Sequence, residues 1–233
     1  MTDPVFLITG ASRGIGAAVA RQAAAAGHRL VLTGRTAAPL EALADEFGGP
    51  SRALARVADV TDWTALTSVV AEAEERFGRL DVALANAGAS VVTSFLGTTG
   101  APPEEWRDLV LTNVYGPALT ARATLPALLK TRGHLLFTGS AAGRGVRPGN
   151  LYAATKWAVT GLAQAIRAEC VGTGIRVTLL QPGLVDTESI PPSRANDPRL
   201  HPDDVARAVL YAVGQPPHVD VNEIIVRPAG QRN

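Results

Sequence analysis

Cysteine is all but absent from this chain of 233 residues: Cys170 is the only one. A lone thiol cannot close an intramolecular disulfide, so the sequence is not a disulfide-stapled scaffold. Cys170 sits in an apolar helical pattern and reads as a buried spacer. Charge is also sparse, at 18% of residues, with both signs scattered and a net charge of +1. That balance offers no basic face for nucleic acid, and with 46% hydrophobic residues it excludes a disordered chain. No apolar run reaches the ~20 residues of a membrane span. The first strand candidate starts at once, at Pro4-Val-Phe-Leu-Ile8, leaving no room for a signal peptide. Repeats, low-complexity tracts and linkers are missing too. The expectation is a soluble cytoplasmic protein without nucleic-acid or membrane partners and without a metal site.

What is present is an alternation of short apolar runs with longer helical patterns. Strands are expected at Val5–Thr9, Leu30–Thr33, Ala53–Ala58, Val82–Ala85, His134–Thr138, Arg176–Leu180 and Glu223–Val226. Helices are expected at Ile15–Ala26, Pro39–Phe47, Trp63–Phe77, Pro103–Lys130 (interrupted near Gly116-Pro117), Leu151–Val171 and Pro202–Val213. Strand and helix in strict alternation imply an α/β fold with a parallel sheet and right-handed crossovers. The strands are nearly continuous apolar runs, as required when helices cover both sheet faces. One domain over residues 1–233 is expected.

The first strand runs into Thr9-Gly-Ala-Ser-Arg-Gly-Ile-Gly16. Gly10, Gly14 and Gly16 let a backbone approach a pyrophosphate closely, and a helix N-terminus offers unpaired N–H donors. The spacing Gly-x-x-x-Gly-x-Gly differs from the more usual dinucleotide fingerprint. Ser12, Arg13 and Ile15 lie in the same turn. At the end of the second strand an NAD site carries an acid for the ribose 2′-hydroxyl. Here Gly34 stands in that place and Arg35 follows. A guanidinium pairs with a 2′-phosphate, so Arg35 and Arg13 favour NADP(H), although either could be an ordinary solvated charge. Asp59, with Val60 beside it, ends the third strand and could reach an adenine amino group or start a helix. Asn86-Ala87-Gly88 ends the fourth strand, where a ribose could lie; Asn86 could equally tie strands together.

Tyr152 and Lys156, four residues apart, share one helix face. Ser140 ends an apolar run upstream of them, where it is either a cap or a hydroxyl donor. A nucleotide cradle, a hydroxyl and a Tyr/Lys pair, in that order, suggest hydride transfer. Reducing a carbonyl requires a proton donor and a group that holds the developing oxyanion. Tyr152 is the natural donor, its ordinary pKa of ~10 favoured downward by the Lys156 ammonium. Asn113, in Leu111-Thr-Asn-Val-Tyr-Gly116, could be a buried hydrogen-bonding residue that kinks its helix.

On these residues, together with Pro182-Gly183, the chain resembles the short-chain dehydrogenase/reductase family over nearly its whole length. The resemblance implies a doubly wound Rossmann-type domain with a seven-stranded parallel sheet, an NAD(P)(H) cofactor, and a homotetramer or homodimer. It implies that Tyr152 is the acid, that Lys156 also serves the nicotinamide ribose, that Ser140 holds the substrate oxygen and that Asn113 positions a water. It further implies Pro182-Gly183 at the nicotinamide, Val185 at the carboxamide and Thr187 near the phosphates. The Ser140-to-Tyr152 interval is one residue shorter than is usual in the family. The expected activity is that of an NADP(H)-dependent carbonyl reductase or secondary alcohol dehydrogenase. Within enzymes, a ketoreductase of fatty-acid or secondary metabolism stands beside a 3-hydroxy acid dehydrogenase, which the tail Asp220–Pro228 resembles. A non-catalytic NADP(H)-binding sensor or scaffold is the remaining alternative; such relatives usually lack the tyrosine or the lysine.

The stretch Thr187–Pro202, rich in Pro, Ser, Asn and Asp, follows a strand at the carboxyl edge of the sheet and is expected to be a short substrate lid. Ile190 could close over a substrate, and Arg194 or Arg199 could meet an anionic group. Apolar side chains on the helical stretches Pro103–Lys130 and Leu151–Val171, among them Trp106, Tyr115, Trp157, Leu162 and Ile166, exceed what one sheet face covers and favour pairing with a second copy.

Overall fold

A strand flanked by neighbours and covered by helices has no water-facing side, so both its odd and its even residues must be apolar. Val5–Thr9 (β1) meets that demand, with all five residues buried. The computed structural model describes residues 3–97, 100–146, 148–188, 190, 194 and 196–231. Around β1 it arranges a seven-stranded parallel sheet in the order β3-β2-β1-β4-β5-β6-β7. The other strands are β2 (Arg29–Gly34), β3 (Ala53–Val57), β4 (Val82–Ala85), β5 (His134–Thr138), β6 (Arg176–Pro182) and β7 (Glu223–Val226). The helices are α1 (Gly14–Ala25), α2 (Ala37–Glu46), α3 (Trp63–Phe77), α4 (Pro103–Val110), α5 (Gly116–Thr131), α6 (Leu151–Glu169) and α7 (Pro202–Val213). Every expected strand and helix is found, with ends shifted by a few residues.

Alternation along the strands divides the core in two. Val5 and Leu7 of β1 face α3, α5 and α6, packing with Leu66, Phe77, Leu128, Phe137 and Ile166. Phe6 and Ile8 face α1, α2 and α7, packing with Val19, Leu40, Leu136 and Val209. The second layer is alanine-rich, which lets α1 lie close to its neighbours. Caps follow the residue chemistry: Asp62 accepts from the Ala65 N–H at 3.0 Å to start α3, and Asn150 accepts from the Ala153 N–H at 2.8 Å to start α6.

The expected interruption of the long helix is found: a single π-helical turn, Leu111–Tyr115, stands directly before Gly116-Pro117. The backbone at Tyr115 and Gly116 stays helical, so α4 runs through this turn into α5. The π turn contains Asn113, whose side chain is fully buried.

The sheet sets the place for a ligand. From β1 the chain winds outward through β2 and β3, then returns to β4 on the other side and continues to β7. The connections leaving β1 and β4 therefore diverge, and a crevice opens at their carboxyl ends. Among the described residues, no helix is long and apolar enough to cross a membrane.

Candidate active site

The crevice is a cleft of about 1390 Å³. Its walls include Gly10, Ser12, Arg13, Gly14, Ile15, Arg35, Asp59, Val60, Asn86, Ala87, Gly88, Ser140, Tyr152, Lys156, Pro182, Gly183, Val185 and Thr187. Of the site residues expected from the sequence, two stand behind the wall: Gly16 and Asn113. Gly16 is the contact that makes the turn possible, since a Cβ there would overlap the Gly10 carbonyl oxygen. Gly14 holds φ at 55° as it opens α1, a conformation that favours glycine, and it faces the Thr187 methyl across the cleft.

Asn86 is a structural tie. Its Nδ2 donates to the Thr9 and Gly10 carbonyls at 3.1 and 3.2 Å, and its Oδ1 accepts from the Thr138 hydroxyl at 3.1 Å. Its backbone N–H donates to Thr9 Oγ1 at 3.0 Å. The ends of β1, β4 and β5 are thus fastened around one amide. Sequence reading missed Thr9 and Thr138; each is the last residue of an apolar strand, where a hydroxyl that could bond sideways is the available signal.

Asn113 fastens the other side. Its Oδ1 accepts from the Ala89 N–H at 2.8 Å, and its Nδ2 donates to the Ala89 carbonyl at 2.9 Å and to Thr155 Oγ1 at 3.1 Å. Thr155 in turn donates to the Tyr152 carbonyl at 2.7 Å. The π turn, the loop after β4 and the first turn of α6 are locked by this chain of bonds, so the backbone carrying Tyr152 is fixed.

Tyr152 is half-buried on the cleft wall, and Lys156 lies one turn further along α6. Lys156 is 5% exposed. Its Nζ donates to the Thr138 carbonyl at 3.0 Å and stands 5.6 Å from the centre of the Tyr152 ring, within cation–π range. Burial strips water from the ammonium and lowers its pKa from 10.5 to about 8. Ser140 caps a short 3-10 turn, Ala141–Arg144, its Oγ accepting from the Ala142 N–H at 3.1 Å. Ser140 is thus a cap, and it also lines the cleft.

At the far end Asp59 accepts from the Thr61 N–H at 2.8 Å and from its hydroxyl at 2.7 Å. These bonds, and then the nearby Arg35, hold its carboxyl below the usual range. Arg35 is exposed on the cleft wall, whereas Arg13 forms an ion pair with Glu188.

The expected lid falls partly outside the described residues, at Ser189, Pro191–Ser193 and Ala195. Its two ends are clipped together. The Leu200 N–H donates to the Leu184 carbonyl and the Asp186 N–H to the Leu200 carbonyl, both at 2.8 Å. Val185 and Leu200 are buried against Val205. Both candidate anion-binding arginines have carboxylate partners close by in sequence: Arg199 meets Asp186, just before the segment, at 2.8 Å, and Arg194 meets Asp197 within it at 2.7 Å.

The short chain dehydrogenase family model matches residues 4–198. This chain belongs to that family. Among its relatives is an uncharacterised oxidoreductase of Staphylococcus saprophyticus, 36% identical over 236 residues and matched over 98% of each chain. Among solved structures, the alcohol dehydrogenase of the archaeon Thermococcus sibiricus, complexed with 5-hydroxy-NADP, superposes with a TM-score of 0.89 at 33% identity, over 99% of this chain and 98% of that one. The serine dehydrogenase of Escherichia coli superposes at 0.86 and 31% identity, over 98% of this chain and all of that one (100%). Membership of the short-chain dehydrogenases makes the protein an oxidoreductase.

The burial of Lys156 generates a stability prediction. Its pKa is lower in the folded chain than in the unfolded one, so the charged form is penalised on folding. The penalty is nil above the unfolded value of 10.5, grows as pH falls and is complete below about 8. At neutral pH it is on the order of 3 kcal/mol before the Thr138 hydrogen bond is counted. Lys156→Met is therefore expected to raise the Tm of the cofactor-free protein at pH 7, by an amount that shrinks as the pH is taken from 8 to 10.5. Thermal denaturation across that range checks it; an equal or lower Tm for the variant at neutral pH contradicts it.

Proposed function

We propose that the protein is an NADP(H)-dependent oxidoreductase that interconverts a carbonyl compound and a secondary alcohol. The observation that carries this reading is the buried Lys156 ammonium beside Tyr152, in the same cleft as the glycine turn and Arg35.

The cleft suits a dinucleotide. A left-handed glycine opens α1, whose N-terminus lines the wall and presents unpaired N–H groups for a pyrophosphate. Gly34 leaves the β2 end uncharged, and Arg35 is placed for a 2′-phosphate. Arg13, in the glycine turn, is ion-paired with Glu188 and keeps further N–H donors for the phosphate. When bound, the cofactor supplies hydride to, or accepts it from, the substrate carbon. Ser140 keeps its hydroxyl hydrogen for the substrate oxygen, because its bond to Ala142 uses only a lone pair. Tyr152 donates its phenolic proton to that oxygen in reduction and recovers it in oxidation. Lys156 favours the phenolate by charge and donates to the cofactor ribose. Asn113 and Thr155 hold the helix start that carries Tyr152. The Thr187–Pro202 segment, clipped at its base, serves as a short lid. Exposed Tyr115 and Trp157, each 46% accessible, support pairing of the chain with a second copy. A narrower reading, oxidation of a small 3-hydroxy acid, is favoured by the likeness to a serine dehydrogenase.

Consumption of NADPH against a panel of ketones, 3-oxo acids and 3-oxoacyl thioesters tests the proposal. Tyr152→Phe is expected to abolish turnover and leave NADPH binding nearly intact, since it removes the proton donor but not the ring. Residual turnover within about tenfold of wild type, less than ~1.4 kcal/mol of barrier, would reject Tyr152 as the acid.

Arg35→Ala is expected to weaken NADPH roughly ten- to a hundredfold more than NADH, the range given by loss of a charged hydrogen-bond partner. Fluorescence titration with both cofactors checks it. Equal weakening of the two would make Arg35 a bystander and leave Arg13.

A further inference from the structure

Between Asp81 and Glu104 the chain has no Asp, Glu, Lys or Arg. The second half of this segment leaves the cleft as a closed excursion: the Ala101 N–H donates to the Val92 carbonyl at 2.8 Å, and the Gly97 N–H to the Ser94 carbonyl at 3.1 Å. Its base belongs to the cleft, where Val91, Val92 and Thr93 form part of the wall. Thr93 ties that base to the catalytic helix. Its hydroxyl donates to the Gly149 carbonyl and accepts from the Leu151 N–H at 3.0 Å, one residue before Tyr152. From Val92 exposed apolar side chains continue along the chain. Val92 is 61% exposed, Phe95 65% and Leu96 90%.

This stretch is propped in place. Phe95 stands edge-on to Trp106 with ring centres 5.5 Å apart, and the Trp106 indole N–H donates to the Ala101 carbonyl at 2.9 Å. Pro148, Leu184 and Ile190 add apolar side chains to the cleft lining. A held phenyl ring and a bare leucine, three and four residues along the chain from the cleft-wall Val92, are costly to leave in water. Val92 belongs to both the cleft wall and this surface, so the occupant that reaches one reaches the other.

We infer that the substrate is a carbonyl compound with an uncharged apolar tail, its carbonyl at Ser140 and Tyr152 and its tail running over Val92 towards Phe95 and Leu96. This rests on the carbonyl-reductase reading and selects, within it, a lipophilic substrate over a small polar hydroxy acid. Val92, Phe95 and Leu96 are then specificity residues. They grip the tail and take no part in the chemistry.

The test is kcat/KM with NADPH over a homologous series of methyl ketones and of ethyl 3-oxo esters, from short to long chains. The wild type is expected to gain two- to fourfold per added methylene over several carbons; fourfold corresponds to the ~0.8 kcal/mol of a fully buried CH2. Phe95→Ser combined with Leu96→Ser is expected to flatten that slope, and free 3-oxo acids to be poorer substrates than their esters. A wild-type slope that is flat or falling overturns the inference whether or not the variant folds, as does an unchanged slope in a folded variant. If a second copy of the chain covers this surface in solution, the slope is flat and the inference falls. Failure of the carbonyl reading itself looks different: no member of either series, the shortest included, is then reduced.

Discussion

The ammonium of Lys156 is buried, and among the described residues the Thr138 carbonyl accepts its hydrogen bond. A buried charge is expensive, and here the expense lowers the group's pKa to about 8 while leaving it charged at neutral pH. The rest of the cleft is arranged around this one constraint. Gly88 passes so near that a side chain there would point at Lys156 Nζ, 3.7 Å away. The phenol of Tyr152 shares the helix face, and the first turn of that helix is tied down through Thr155 and Asn113 to the loop after β4. Local rules of stability are broken most clearly at functional sites, and Lys156 is where this chain breaks them.

The second organising element is the reversal of sheet order between β1 and β4. It brings the glycine turn and the loop after β4 to one crevice, and Asn86 stitches the strand ends there. The same arrangement explains how residues far apart in sequence form one site. Gly14 and Thr187 face each other because β1 and β6 end on the same edge. The apolar loop that holds Val92 follows the stitched end of β4, so the cleft wall passes from tied strand ends to exposed apolar side chains.

Much of this was legible in the sequence, because it was written in short-range patterns. Continuous apolar runs marked the seven strands, and the glycine turn, Ser140, Tyr152 and Lys156 appeared in chain order at strand ends and helix starts. What escaped depends on contacts between distant segments. Asn113 reads as a buried residue that kinks its helix, but its partners, Ala89 and Thr155, cannot be read from the residues around it. Thr9 and Thr138 look like ordinary strand residues until Asn86 lies between them. Gly16 resembles the other glycines of its turn, yet it stands behind the wall for packing. The arginines of the Thr187–Pro202 segment suggested anion binding, but Asp186 and Asp197, close by in sequence, meet them. The exposed Phe95 and Leu96 carried no signal, because alternation reports helices and strands and says nothing of a loop.

The account stands or falls on the state of one amine. An NMR titration of the cofactor-free protein with carbon-labelled lysine, the Lys156 signal identified by its loss in Lys156→Met, reads that state directly. Desolvation against Thr138 and Tyr152 predicts a midpoint near 8. A midpoint at the ordinary value of 10.5 would place the ammonium in water and contradict the account.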